Sequence, residues 1–150
     1  MMVTILPFHE LQMLSHSLSP IQMHLVAHSG HVLNNKGRGK LSVKDLNNHT
    51  FITIKTASGP IGLSTERMLF DSYFIVNSFM TKKQAIMNRL GFGWLPDYLI
   101  EKELNAGSIK VLKTEIDNNS TALPRLYHRP IEQMGKASRQ LLIYLKELDA

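Results

Sequence analysis

The chain has 150 residues, of which 43% are hydrophobic and 19% charged, with no cysteine and a formal charge of +5. That is enough chain for one domain with a real core, and too apolar a composition for disorder. Without cysteine there is no disulfide framework, thiolate metal site or cysteine nucleophile, and no run approaches the roughly 18 apolar residues that span a bilayer. The first residues, Met1-Met2-Val3-Thr4-Ile5-Leu6, lack the basic start and small-residue cleavage site of a signal peptide, so a cytoplasmic protein is expected. The basic residues are scattered. The densest run, Lys36-Gly37-Arg38-Gly39-Lys40, reads as a solvated loop rather than a phosphate-binding patch, which needs more converging cations.

In chain order, residues 1–8 are apolar and strand-like, residues 10–14 suit a short strand, and residues 15–20 are polar and turn-like. Residues 21–27 alternate weakly and read as a strand. A turn at His28-Ser29-Gly30-His31 leads into the glycine-rich basic loop. Ser42 caps a single helical turn reaching Leu46, with Asp45 at the third position to complete a capping box. Residues 50–54, rich in β-branched and aromatic types, form a strand. Gly59, Pro60 and Gly62 forbid a regular element across 55–62; residues 63–70 lean towards strand, and 73–76 is a strand.

Residues 77–112 organise the rest. Ser78 is a helix N-cap, followed by a face of Phe79, Met80, Ile86, Met87 and Leu90. Gly91 stops that helix. Phe92-Gly93-Trp94-Leu95 is too short for a helix and suits a buried strand. Pro96 fits the first turn of a second helix, with Leu99, Ile100 and Leu104 on its apolar side, and Gly107 ends it before a strand at 108–112. Strand, helix, strand, helix, strand with tight glycine punctuation predicts an α/β lobe with a mixed, mostly parallel sheet flanked by helices. After it, 113–122 is loop-like, 125–128 a last strand, and 133–148 an amphipathic helix with Met134, Ala137, Leu141, Leu145 and Leu148 on one stripe.

The chemistry is sparse. His24, His28 and His31 tempt a metal reading, but no carboxylate or cysteine sits at ligand spacing, and surface histidines are expected. No Gly-x-Ser-x-Gly elbow exists. Gly91-Phe92-Gly93 imitates the start of a dinucleotide loop, yet Pro96 stands where the third glycine belongs, and the order is helix then strand. Close backbone packing is the expected role. Glu101 and Glu103 sit two residues apart on a helix, point in different directions, and are expected to be solvated. No catalytic residue, metal or cofactor is expected. Two places suit a small polar or anionic ligand: the strand-end loop with Thr56 and Ser58, and Asn77 with Ser78 at a strand end and helix N-terminus. Ligands of open α/β sheets sit at the carboxyl ends of strands, where helix N-termini offer free N–H donors.

Several segments stand in a familiar order: His28-Ser29-Gly30-His31-Val32-Leu33; Leu41-Ser42-Val43-Lys44-Asp45-Leu46 before Phe51-Ile52; Val76-Asn77-Ser78; Leu90-Gly91-Phe92-Gly93-Trp94-Leu95-Pro96; and Leu104-Asn105-Ala106-Gly107-Ser108-Ile109-Lys110-Val111-Leu112. Together they resemble the effector-binding (substrate-binding) domain of LysR-type transcriptional regulators. Val32 replaces the family's usual proline, and Trp94 its usual aliphatic residue.

The resemblance implies a periplasmic-binding-protein-like (type 2) domain. One complete lobe would span about residues 20–128, with the remainder of the other lobe at 1–19 and 129–150. The usual N-terminal helix-turn-helix is not seen, so DNA would be reached only through a domain outside this sequence. The implied function is ligand-gated switching of DNA-bound assemblies, with a small, expected anionic, effector in an interlobe cleft touching Thr56, Ser58, Asn77 and Ser78. Apolar faces of 1–14 and of the last helix imply a dimer or higher oligomer. The competing readings are a periplasmic-type solute-binding protein, disfavoured without a signal peptide, and a small α/β enzyme, disfavoured without an acid–base pair.

Overall fold

The structure, a computed structural model, describes residues 1–4, 12–35, 37, 39–54, 70–116 and 120–149. It divides into two compact units, Met1–Ile21 with Ala122–Ala150, and Gln22–Thr121.

The second unit is built on a sheet of β3 (Ile21–His28), β4 (Phe51–Ile54), β5 (Tyr73–Val76), β6 (Phe92–Pro96), β7 (Ile109–Val111) and β8 (Ser120–Ala122). Its order is β5-β4-β6-β3-β7, with β8 also on β3. The sheet is mixed: β4 runs parallel to β5 and β6, whereas β3 is antiparallel to β6 and β7. Helices α1 (Val43–Asn47), α2 (Phe79–Met87) and α3 (Asp97–Ala106) complete it. The pleat sends Ile52 to one face and Phe51 to the other. On the first face Ile52, Val26, Leu95, Ile86, Ile100 and Ile109 form an aliphatic core. Elsewhere Phe51 stacks on Phe70 at 4.7 Å between centroids and meets Phe92 at 5.4 Å.

The predicted capping box is present. The Ser42 hydroxyl accepts the Asp45 N–H, and the Asp45 carboxylate accepts the Ser42 N–H at 2.9 Å. Pro96 precedes α3, and Gly107 closes it in the left-handed conformation at φ 72°. All five residues of β6 are buried, Trp94 completely.

Gly91 differs from expectation. Helix α2 already ends at Met87, and the left-handed residue that reverses the chain is Arg89, at φ 63°. Gly91 serves strand packing instead: a Cβ there would lie 2.1 Å from the Thr50 carbonyl oxygen. Of the predicted apolar face of α2, Phe79, Ile86 and Met87 pack against the core. Met80 and Leu90 are more than half exposed, while Lys82, Ala85 and Ile86 face inward.

The first unit has a three-stranded antiparallel sheet, β1 (Met2–Thr4), β9 (Arg125–His128) and β2 (Leu14–Ser17), with β9 central. Helix α4 (Lys136–Asp149) packs Leu142 against Leu126 and Met134, with Leu18 and Leu145 at the margin. The inward stripe of α4 is therefore centred on Leu142, not on Leu141 and Leu148, which are 46% and 66% exposed. Residues 14–17, read as largely turn-like, form a strand because β9 supplies a partner along its length. On that ladder the His16 and His128 Nε2 atoms approach to 2.8 Å. His128 is buried, and its Nδ1 donates to the Arg129 carbonyl at 2.6 Å, so its Nε2 accepts and His16 donates. The expectations for 55–62 and 63–69 fall outside the described residues.

Candidate functional site

Asn77 and Ser78 lie where sequence reasoning put them, at the carboxyl end of β5 and the start of α2. The structure joins them to Thr81. Ser78 Oγ accepts the Thr81 N–H at 3.1 Å and lies 2.9 Å from Thr81 Oγ1, which reaches Asn77 Oδ1 at 3.4 Å. Asn77 is exposed and Ser78 half-buried. Capping satisfies one orphan donor, and the N–H groups of Phe79 and Met80 retain no intrahelical acceptor at the positive end of the helix dipole. Thr56 and Ser58, the other two predicted site residues, lie outside the described residues.

Sequence reasoning missed Lys82. It sits in the first turn of α2, is 1% exposed, and its Nζ lies 5.7 Å from the Phe51 ring centroid. Its stem crosses the strand at Gly93, where a Cβ would be 2.7 Å from Lys82 Cε and 2.5 Å from the Ile52 carbonyl oxygen. Gly93 thus makes room for the buried Lys82 side chain. The signal was readable: Lys82 falls three residues after Phe79 and four before Ile86, on the apolar face, in a first turn where cations are disfavoured. A local rule broken in this way often marks a functional or strained position.

Glu103 also departs from its expected solvation. Lys83 reaches it at 2.6 Å and donates to the Leu99 carbonyl at 2.8 Å, tying α2 to α3. The hydrogen bond from Lys83 holds the Glu103 carboxyl below the usual carboxylate range.

The histidines near residue 30 act on backbone. His28 Nδ1 accepts the Gly30 N–H at 2.9 Å and His31 Nδ1 the Leu33 N–H at 3.3 Å, so neither lone pair is turned to a metal. Among the described residues no three His, Cys, Asp or Glu side chains gather in a metal-binding arrangement.

Burial, then the charges of His49 and His28, hold His31 below the ordinary histidine value of 6.5. The unfolded chain then takes up the proton first. Stability is expected to be greatest above pH 6.5, to fall as pH drops through 6.5, and to level off below the folded value. Denaturant midpoints measured from pH 7.5 to pH 5 should show this fall, and His31→Gln should flatten part of it.

A model of the LysR substrate-binding domain matches residues 1–149. The chain belongs to this family. It has the type 2 periplasmic-binding-protein-like fold of that family. Comparison with curated protein sequences gave no match.

Solved structures share this fold. The CcmR regulatory domain of Synechocystis PCC6803, in complex with 2-PG, aligns at TM-score 0.70 and 16% identity over 98% of this chain and 72% of that one. The bromide-bound HypT regulatory domain of Salmonella typhimurium aligns at 0.65 and 19%, over 93% of this chain and 66% of that one. Full-length HypT, a hypochlorite-specific LysR-type regulator, aligns at 0.66 and 18%, over 93% of this chain. This chain spans about half of that full-length protein, 47%.

Proposed function

We propose that this LysR substrate-binding domain senses a small anion at the carboxyl ends of β4 and β5, against Asn77, Ser78 and the free N–H groups opening α2. In this reading Thr56 and Ser58, which follow β4 in the sequence, are the further effector contacts that the family resemblance implies. The observation that carries the reading is the strand-end position of a helix N-terminus whose first donors have no intrahelical acceptor. The anions named for the neighbours point the same way, a bromide ion in HypT being the plainest.

Binding shifts the balance between conformations of a cytoplasmic regulator that reaches DNA through a separate helix-turn-helix domain. The domain self-associates as a dimer or larger assembly, using the exposed Leu141, Tyr144 and Leu148 of α4. A monomer in light scattering at micromolar concentration would count against that part. Among the described residues no helix is long and apolar enough to cross a membrane.

Ser78→Gly tests the site. Glycine replaces serine at an N-cap for only about a few tenths of a kcal/mol, so the fold is kept while the hydroxyl is lost. In a thermal-shift panel of small carboxylates and phosphates, the wild type should respond to at least one member. Ser78→Gly should lower that response at least tenfold in concentration. Equal responses in both proteins would remove Ser78 from the site.

A further inference from the structure

A pair of imidazoles joins two strands of the first unit. His16 lies on β2 opposite Leu126, and His128 lies two residues further along β9, opposite Leu14. All four side chains therefore stand on one face of the ladder, with the histidines as diagonal neighbours. Their Nε2 atoms are 2.8 Å apart, and their rings are parallel within 4° at 5.0 Å between centroids, so the nitrogens meet head to head. His128 is 1% exposed and its Nδ1–H donates to the Arg129 carbonyl, whereas His16 is half-buried. This is the face on which Leu126 meets Leu142 of α4. From α4 the charge of Lys146 acts on His16, and the Asp149 carboxylate accepts the Ser19 N–H at 2.6 Å just beyond β2. On β9, Arg125 lies opposite Ser17, on the other face, and β1 across β9 carries no ionisable side chain. β2 is the outer strand of this sheet.

One hydrogen fits between two nitrogens at this distance, and two do not. With both rings neutral, His16 Nε2–H donates and the His128 Nε2 lone pair accepts. A first proton has His16 Nδ1 to go to, and leaves that bond in place. A second can go only to His128 Nε2. Two N–H groups and two like charges would then face each other at 2.8 Å, one of them on a buried ring. We propose that the His16–His128 pair is a proton-operated fastening, which holds β2 to β9 when neutral or singly protonated and lets β2 go when doubly protonated. Once open, both rings are solvated and take protons near the ordinary histidine value of 6.5. The open form thus binds more protons than the closed one, and opening is favoured as pH falls. Burial, then Lys146 and His128, hold His16 below that value, which keeps the pair closed at neutral pH.

Amide hydrogen exchange of the 150-residue chain, followed by NMR at pH 7 and pH 5 and corrected for intrinsic rates, tests this. Protection of the β2 amides is expected to fall about tenfold or more, while amides around Leu142 of α4 keep theirs within about threefold. Imidazole nitrogen shifts should show His128 Nε2 gaining its proton as β2 opens. In His16→Gln the side-chain amide can turn either its NH₂ or its oxygen towards His128, and so serves both protonation states. Its β2 protection should change less than about threefold over the same range. Constant β2 protection in the wild type would overturn the proposal, as would an equal fall in α4, which means unfolding of the whole unit. So would a His128 Nε2 still unprotonated where β2 has opened, or the full wild-type fall retained in His16→Gln.

Discussion

Gly91→Ala is expected to destabilise the second unit by about 3 kcal/mol or more, the upper part of the range for overpacked sites. The new Cβ would stand 2.1 Å from the Thr50 carbonyl oxygen and 3.1 Å from its carbon, and both atoms are backbone. That carbonyl also accepts the Phe92 N–H at 3.1 Å, where β6 begins against β4. Relieving the clash means separating the two strands at their parallel register pair, Phe51 and Phe92. Gly93→Ala meets the Ile52 carbonyl oxygen and the Lys82 stem and should also be damaging, although the lysine stem can yield. Gly107→Ala has open space but a left-handed backbone, and should cost about 1–2 kcal/mol. Gly39→Ala has no neighbour within 4 Å and should stay within about 0.5 kcal/mol of the wild type. Urea titrations of the four variants give this ranking directly. A Gly91→Ala protein as stable as Gly39→Ala would show that the β4–β6 seam is not close-packed.

Trp94→Ala should cost about 3–5 kcal/mol, the usual range for deleting a large buried aromatic. Trp94 is 0% exposed, in a strand buried along its whole length, and its neighbours in β6 pair with β3 on one side and approach β4 on the other. The hole would be walled by sheet and cannot collapse without breaking register. Trp94→Phe should lose less than half as much. Trp94 is the sole tryptophan, so a red shift of its emission on unfolding reports the second unit alone. Denaturation followed by circular dichroism compares all three proteins. A loss below about 1 kcal/mol in Trp94→Ala would mean that the site relaxes fully around the void.

Much of the second unit was legible from local chemistry. Ser42, Ser78, Pro96 and Gly107 act within a few residues of themselves, so their capping and turn roles needed no knowledge of the fold. The apolar run of β6 was similarly legible, because a strand covered on both faces carries no alternation to misread. Half of the candidate site, Asn77 and Ser78, followed from the same local rules. Where sequence reasoning missed, the partner was distant in the chain. Gly91 seemed to be a helix stop until Thr50 was placed beside it. Residues 15–17 seemed polar turn until β9 paired with them. Glu103 seemed solvated until Lys83 reached it from another helix.

The amino-acid sequence by itself determined the family, the alternation of strands and helices, and the strand-end step at Asn77–Ser78. Each of these rests on periodicity, caps or ordered motifs that act over a few residues. Only the tertiary structure decided why Gly91 and Gly93 are glycines and that Lys82 is buried. Those facts depend on which backbone passes within a few ångströms of which side chain, a distance fixed by sheet register and helix rotation rather than by neighbours in sequence.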